Sequence, residues 1–269
     1  MNRRYSCAII VFILFHCCFS AIGQTISLVE KILLSEEPVS ASIDKADNIY
    51  IAGNKGSVFK YDKNGEMLFT YSPQRPGNIK NIEAQSTLNT FLFYEGLQEF
   101  RFLNRFMTLI TTQNFPSDVF ARLATPSSDN NLWVFDDQDY TLKKINLNYF
   151  EADIATSLSN IVSQNFEGNH LKEYQNFVFL SDANTGIYVF DNLGNYIKLI
   201  PLESVHYFNF YEDKVYFLNN SSLVFHDLYS SEKKFIEIDS EEEYSFALVS
   251  GNYVYLVSKA SLDIYFVML

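Results

Sequence analysis

Histidine and cysteine, the side chains whose chemistry lies nearest neutral pH, are few in this 269-residue chain. The histidines are His16, His170, His206 and His226, and the cysteines are Cys7, Cys17 and Cys18. There is no Walker-type phosphate loop, no GxGxxG after a strand, no HExxH and no GxSxG elbow. Gly53-Asn-Lys-Gly56 is too short to cradle a phosphate and reads as a turn. Arg75 lies in Pro73-Gln-Arg-Pro-Gly77. The two prolines lower the entropic cost of presenting it, so it reads as a binding group or as an ordinary solvated loop charge. The acidic run at 239–243 is a solvated turn or one wall of a cation site.

The elements that would position these residues begin after an export signal. Arg3 and Arg4 precede a 13-residue apolar run, 7–19, and Ala21-Ile-Gly23 supplies small residues for cleavage before Gln24. Residues 1–23 therefore read as a signal peptide and 24–269 as a single domain. The run is shorter than the roughly 20 apolar residues that span a bilayer. A retained anchor, or a lipoprotein signal using Cys17 or Cys18, is the alternative. Cleavage removes every cysteine, and with them any disulfide or thiolate chemistry. It also removes two arginines and no acid, taking the net charge from −12 to −14. So acidic a chain argues against nucleic acid and for solubility or a cationic partner.

The domain is neither disordered nor disulfide-built: 48% of residues are hydrophobic, and there are only 10 Gly and 3 Cys. Twenty-five Phe, 18 Tyr and one Trp fall in short apolar or alternating runs bounded by Asn, Asp, Gly and Ser, which predicts strands and tight turns. One run type recurs at Asn48, Asn89, Asn131, Asn176, Lys214 and Asn252, at spacings of 41, 42, 45, 38 and 38. A second run follows each and closes on Asp62, Asn104, Asn146, Asp191, Asp227 or Phe266. The opening Asn and closing Asp or Asn read as turn chemistry, since these side chains bond their own backbone and tolerate the left-handed region. A four-stranded unit of about 40 residues, repeated radially, predicts an all-β, six-bladed β-propeller of four-stranded antiparallel blades. The last unit ends without a fourth strand. The strand-like segment 25–34 is expected to supply it and to cover an otherwise open edge.

Unit one, Ser42-Ile-Asp-Lys-Ala-Asp-Asn-Ile-Tyr-Ile-Ala-Gly followed by Val58-Phe-Lys-Tyr-Asp-Lys-Asn-Gly-Glu, resembles a blade of the NHL-repeat and TolB-like six-bladed propellers, from which units two, three and five have drifted. The resemblance implies a fold and a binding face, not a reaction. By analogy with other propellers, that face is built from the loops between second and third strands together with the loops leading into each new blade: 72–78, 113–118, 158–169, 201–204 and 239–243. Candidate ligand contacts there and in the channel are Arg75, Asn114, Asp118, Arg122, His170 and His206. His206 is expected on the innermost strand of blade five, lining the channel or packed in the core. His170 is expected in the irregular stretch 160–173, and His226 in a structural position on the third strand of blade five. Likeness to gluconolactonase-type propellers would imply calcium or magnesium held by oxygens at the channel mouth, for which Asn81, Glu83, Asp118, Asn209 and Asn252 are available by type.

The sequence thus points to a secreted or periplasmic binding module with no cofactor, for a protein or cell-envelope component. It would meet a membrane only if residues 1–23 are retained or lipidated. A metal-dependent hydrolase or lactonase is the alternative.

Overall fold

The computed structural model describes residues 26–84 and 86–268. The expected leader, its cleavage site and all three cysteines lie outside them. The chain opens with β1 (Ile26–Leu33). Blade one follows as β2 (Pro38–Ile43), β3 (Ile49–Gly53), β4 (Val58–Tyr61) and β5 (Met67–Tyr71). Blade two is β6 (Asn81–Glu83), β7 (Asn89–Tyr94), β8 (Glu99–Asn104) and β9 (Leu109–Asn114). Blade three is β10 (Ala121–Pro126), β11 (Leu132–Asp136), β12 (Thr141–Asn146) and β13 (Glu151–Ser157). Blade four is β14 (His170–Tyr174), β15 (Phe177–Asp182), β16 (Gly186–Asp191) and β17 (Tyr196–Ile200). Blade five is β18 (Phe208–Tyr211), β19 (Lys214–Asn219), β20 (Ser222–Asp227) and β21 (Lys233–Glu237), and blade six contributes β22 (Tyr244–Ser250), β23 (Tyr253–Ser258) and β24 (Ser261–Val267). The described residues hold no α-helix, only a 3-10 turn at Glu95–Leu97.

Six four-stranded antiparallel sheets result, five of them in simple sequential order. The sixth is ordered β1-β24-β23-β22, so the first strand of the chain is the outermost strand of the last blade. Its register runs from Ile26 opposite Val267 to Leu33 opposite Ser261, with a bulge between Leu28 and Glu30. The inner strands follow one another around an axis, with β22 beside β2 where the ring closes.

The core explains why the strand sequences are continuously apolar rather than alternating. Each blade buries both faces, so every position along β3 or β11 is buried. Successive residues serve opposite neighbours, as a period of two requires. Tyr50 and Ala52 pack towards blade two, whereas Ile49 and Ile51 pack towards blade six. Six apolar clusters form, one for each junction between adjacent blades, including the one between blades six and one. The outer strands are exposed along most of their length, as in β5 and β13.

The recurrent Asp and Asn residues do what turn chemistry predicts. Asp62 accepts the backbone N–H groups of Asn64 and Glu66 at 2.9 and 2.8 Å. Asn104 accepts those of Phe106 and Thr108, and Asp191 those of Leu193 and Asn195. Asp227 accepts those of Tyr229 and Ser230, and Asn146 accepts that of Asn148. The opening Asn differs in detail from expectation. In blades one, three and six the left-handed residue is the one before it, namely Asp47, Asn130 and Gly251; in blade four Asn176 itself has φ 63°. Asn48 instead donates its side-chain amide to Asp44 at 2.8 Å.

Candidate functional site

Because the strands run up and down, the disc has two faces. The crossover face carries the loops that enter each new blade. The hairpin face carries the turns from each inner strand to its neighbour. All six sequence candidates lie at or near the crossover face. Arg75, Asn114 and Asp118 are exposed on or beside its loops, and Arg122 pairs with Asp137 at 3.2 Å within blade three. Two placements are corrected. His206 is exposed in a bend before β18, not on the inner strand, because Ser204 takes a left-handed φ of 61° and turns the chain ahead of Phe208. His170 is not in irregular chain but opens β14, where it is buried. No hydrogen bond, ion pair or ring contact joins any two of the six.

The axis itself is filled. Lys172 of β14 reaches across to Glu83 of β6, forming an ion pair in which both side chains are 6% exposed, and Ser42 of β2 also donates to Glu83. Tyr207, just before β18, donates to the carbonyl of Ala41 in blade one at 3.0 Å. Its ring packs on His170 and Phe246, at centroid distances of 4.8 and 5.2 Å. Burial holds its phenol well above the usual range, so it stays a neutral donor. Burial, aided by Lys172, pushes the His170 imidazole down to about 3; it is uncharged near neutrality and its Nε2 has no partner. His226 sits on β20 as expected, its imidazole lowered by burial and by Lys233. Hydroxyls fasten the inner strands together: Ser40 and Ser42 accept the N–H groups of Ile82 and Ala84.

The oxygen set considered for a divalent cation does not converge. Asn81 donates to the carbonyl of Ala124 in blade three, Glu83 is paired with Lys172, and Asn209 accepts from the N–H of Phe210. Asp118 lies in a crossover loop and Asn252 in a hairpin turn, on opposite faces of the disc. Among the described residues no group of three or more His, Cys, Asp or Glu is arranged to hold a metal.

The open space lies on the hairpin face, which the sequence reading passed over. A cavity of about 760 Å³ starts at Lys45, Glu83 and Tyr174 near the axis and runs outward between blades two and three. A smaller one of about 230 Å³ adjoins it, sharing Lys45 and Tyr174 and bordered by Lys172. The Glu83–Lys172 pair therefore lies between the two. Beside it Glu173, 6% exposed, accepts from the Ser127 hydroxyl, the Ser128 N–H and the Trp133 indole at 2.6, 2.8 and 2.7 Å. The side-chain amides of Asn89, Asn130 and Asn176 line the cavity without a hydrogen bond to the described chain. Its outer end is apolar, formed by Phe91, Phe102, Ile110 and Leu147.

No family model and no curated protein matches this sequence. Solved structures do match in fold. A catalytically inactive virginiamycin B lyase from Staphylococcus aureus with quinupristin aligns over 91% of this chain and 100% of its own, at TM-score 0.66 and 8% identity. BamB from Moraxella catarrhalis aligns over 90% and 97%, at 0.54 and 8%. The Swd1 β-propeller domain of Myceliophteria thermophila aligns over 91% and 100%, at 0.63 and 11%. The resemblance to NHL-repeat and TolB-like propellers therefore holds for the fold.

Proposed function

We propose that this chain is an exported, non-catalytic propeller that binds a protein or a cell-envelope component through its hairpin face. The observation that carries the reading is the contrast between a sealed axis and an open cavity above it. The groups near the axis that could act as acid, base or ligand are paired or packed away: Glu83 with Lys172, Tyr207 with a backbone carbonyl, and His170 as a neutral ring against Tyr207 and Phe208. What remains presented is a set of amides, hydroxyls and apolar surface beside the Glu173 carboxylate and Lys45, a lining suited to recognition. Export is supported by the charged, apolar and small-residue order of residues 1–23. Among the described residues no helix is long and apolar enough to cross a membrane.

The test is site-specific photo-crosslinking in the producing cell, with the probe at Asn130 on the hairpin face or at Arg75 on the crossover face. Discrete adducts from Asn130 support the reading; adducts only from Arg75, or none, overturn it. The likeness of fold to a lyase favours a second reading, an enzyme, and the sequence frames it as a calcium- or magnesium-dependent hydrolase or lactonase. Thermal melts at millimolar calcium or magnesium decide that point. A raised Tm together with metal-dependent lactone opening supports the enzyme, and an unchanged Tm counts against it.

A further inference from the structure

Glu173 places a carboxylate at the inner end of the larger cavity. It is a buried carboxylate whose three donors are all neutral, and among the described residues no cation pairs with it. A buried charge is ordinarily compensated by one of opposite sign. Lys144 on the adjoining blade is not available for this, because Asp129 holds it at 2.6 Å and its ammonium lies over the Trp133 ring. Lys45 at the rim has no carboxylate partner among the described residues, but Asp44 and Asp47 flank it along the smaller opening. The lining of the two cavities is thus net negative, in a chain whose formal charge is −12.

Shape adds a second constraint. The groove begins beside this carboxylate and ends in the apolar pocket of Phe91, Phe102, Ile110 and Leu147, with the amides of Asn89, Asn130 and Asn176 along its length. Side-chain amides offer both a donor and an acceptor, which matches the alternating groups of an extended main chain. A carbohydrate would want an open aromatic platform, but one face of the Tyr174 ring is already stacked on Phe210, with centroids 4.3 Å apart and planes at 1°.

From this we infer that the groove between blades two and three receives an extended peptide segment of a partner protein, one that places a Lys or Arg side chain towards Glu173 and a large apolar side chain between Phe102, Ile110 and Leu147. This deepens the binding reading above and rests on it.

The test is selection of random peptides displayed on phage against the immobilised full chain. Enriched sequences are expected to combine a basic with a large apolar residue, and to bind more weakly as salt is raised. Binding of the best synthetic peptide should fall by roughly tenfold or more in Ile110→Glu. Ile110 is 54% exposed, so this variant does not depend on repacking a core. Glu173→Gln should weaken the peptide as well, with a thermal melt confirming that the variant is folded. The inference is overturned if no peptide is enriched, if acidic peptides are, if Ile110→Glu binds equally well, or if the groove instead takes neutral glycans on an array or a second copy of this chain. If Asn130 still gives crosslinks in the cell while peptide selection fails, only the peptide inference falls. If those crosslinks are absent, the binding reading itself falls.

Discussion

Glu83 and Lys172 stand 89 positions apart in sequence yet form one buried ion pair on the axis. Removing one partner leaves a buried charge behind, so Lys172→Met should destabilise the fold by about 3–5 kcal/mol, whereas Lys172→Met combined with Glu83→Leu should recover most of that loss. Urea unfolding of the two variants checks this. His170 makes a separate prediction about pH. Its folded-state pKa is depressed to about 3 from an ordinary value of 6.5. The unfolded chain therefore binds the proton first, and stability present in full above about pH 6.5 drains away as pH falls towards 3. Unfolding midpoints should drop between pH 7.5 and 5, before most carboxylates titrate, and His170→Phe should flatten that drop; His226, also lowered, leaves a smaller residual slope. An equal slope in the variant would show that the titration lies elsewhere. At this scale the sequence was legible where a residue acts on its own neighbours. Asp62 and Asp191 bind N–H groups two and four positions on, and were readable from spacing alone. Glu173 was not, because its donors come from the preceding blade.

At the scale of elements, strand boundaries were legible wherever an apolar run met an Asp or Asn turn. Misreadings fell where a loop imitates a strand, before Phe208, and where a strand follows a long irregular loop, at His170. Val205 is fully buried in the crossover loop, so Ser-Val-His-Tyr-Phe reads as alternating strand even though the backbone bends until Phe208. The Asp191 turn offers a local test. Asp191→Ala removes two backbone acceptor contacts at 2.9 and 2.8 Å and should cost about 1–2 kcal/mol without altering the fold. Native-like circular dichroism with a lower urea midpoint is the expected result. β1 matters far more. A chain beginning at Pro38 lacks the outer strand of blade six and exposes the edge of β24. Its loss should remove several kcal/mol, comparable with the whole stability of an ordinary domain. A truncated chain that melts with the intact one would contradict the pairing.

At the scale of the whole molecule, six similar sheets became legible because repetition multiplies a weak signal: five of the six units keep the opening Asn and five of the six keep the closing Asp or Asn, in step. The cavity did not, since it is assembled from turns of blades one to four that are individually ordinary. No periodicity in sequence marks a space between elements. The crossover face drew attention through its longer loops, whereas the open volume lies beneath short hairpin turns on the other side. Ring closure underlies every one of these placements, because the order of blades and the identity of the two faces follow from it. Native-state hydrogen exchange on residues 26–33, resolved by NMR, tests it most directly. If β1 completes blade six, alternate amides, those facing β24, should exchange only on global unfolding. Uniformly fast exchange through 26–33, with β24 behaving as a bare edge, would contradict a ring closed by its first strand.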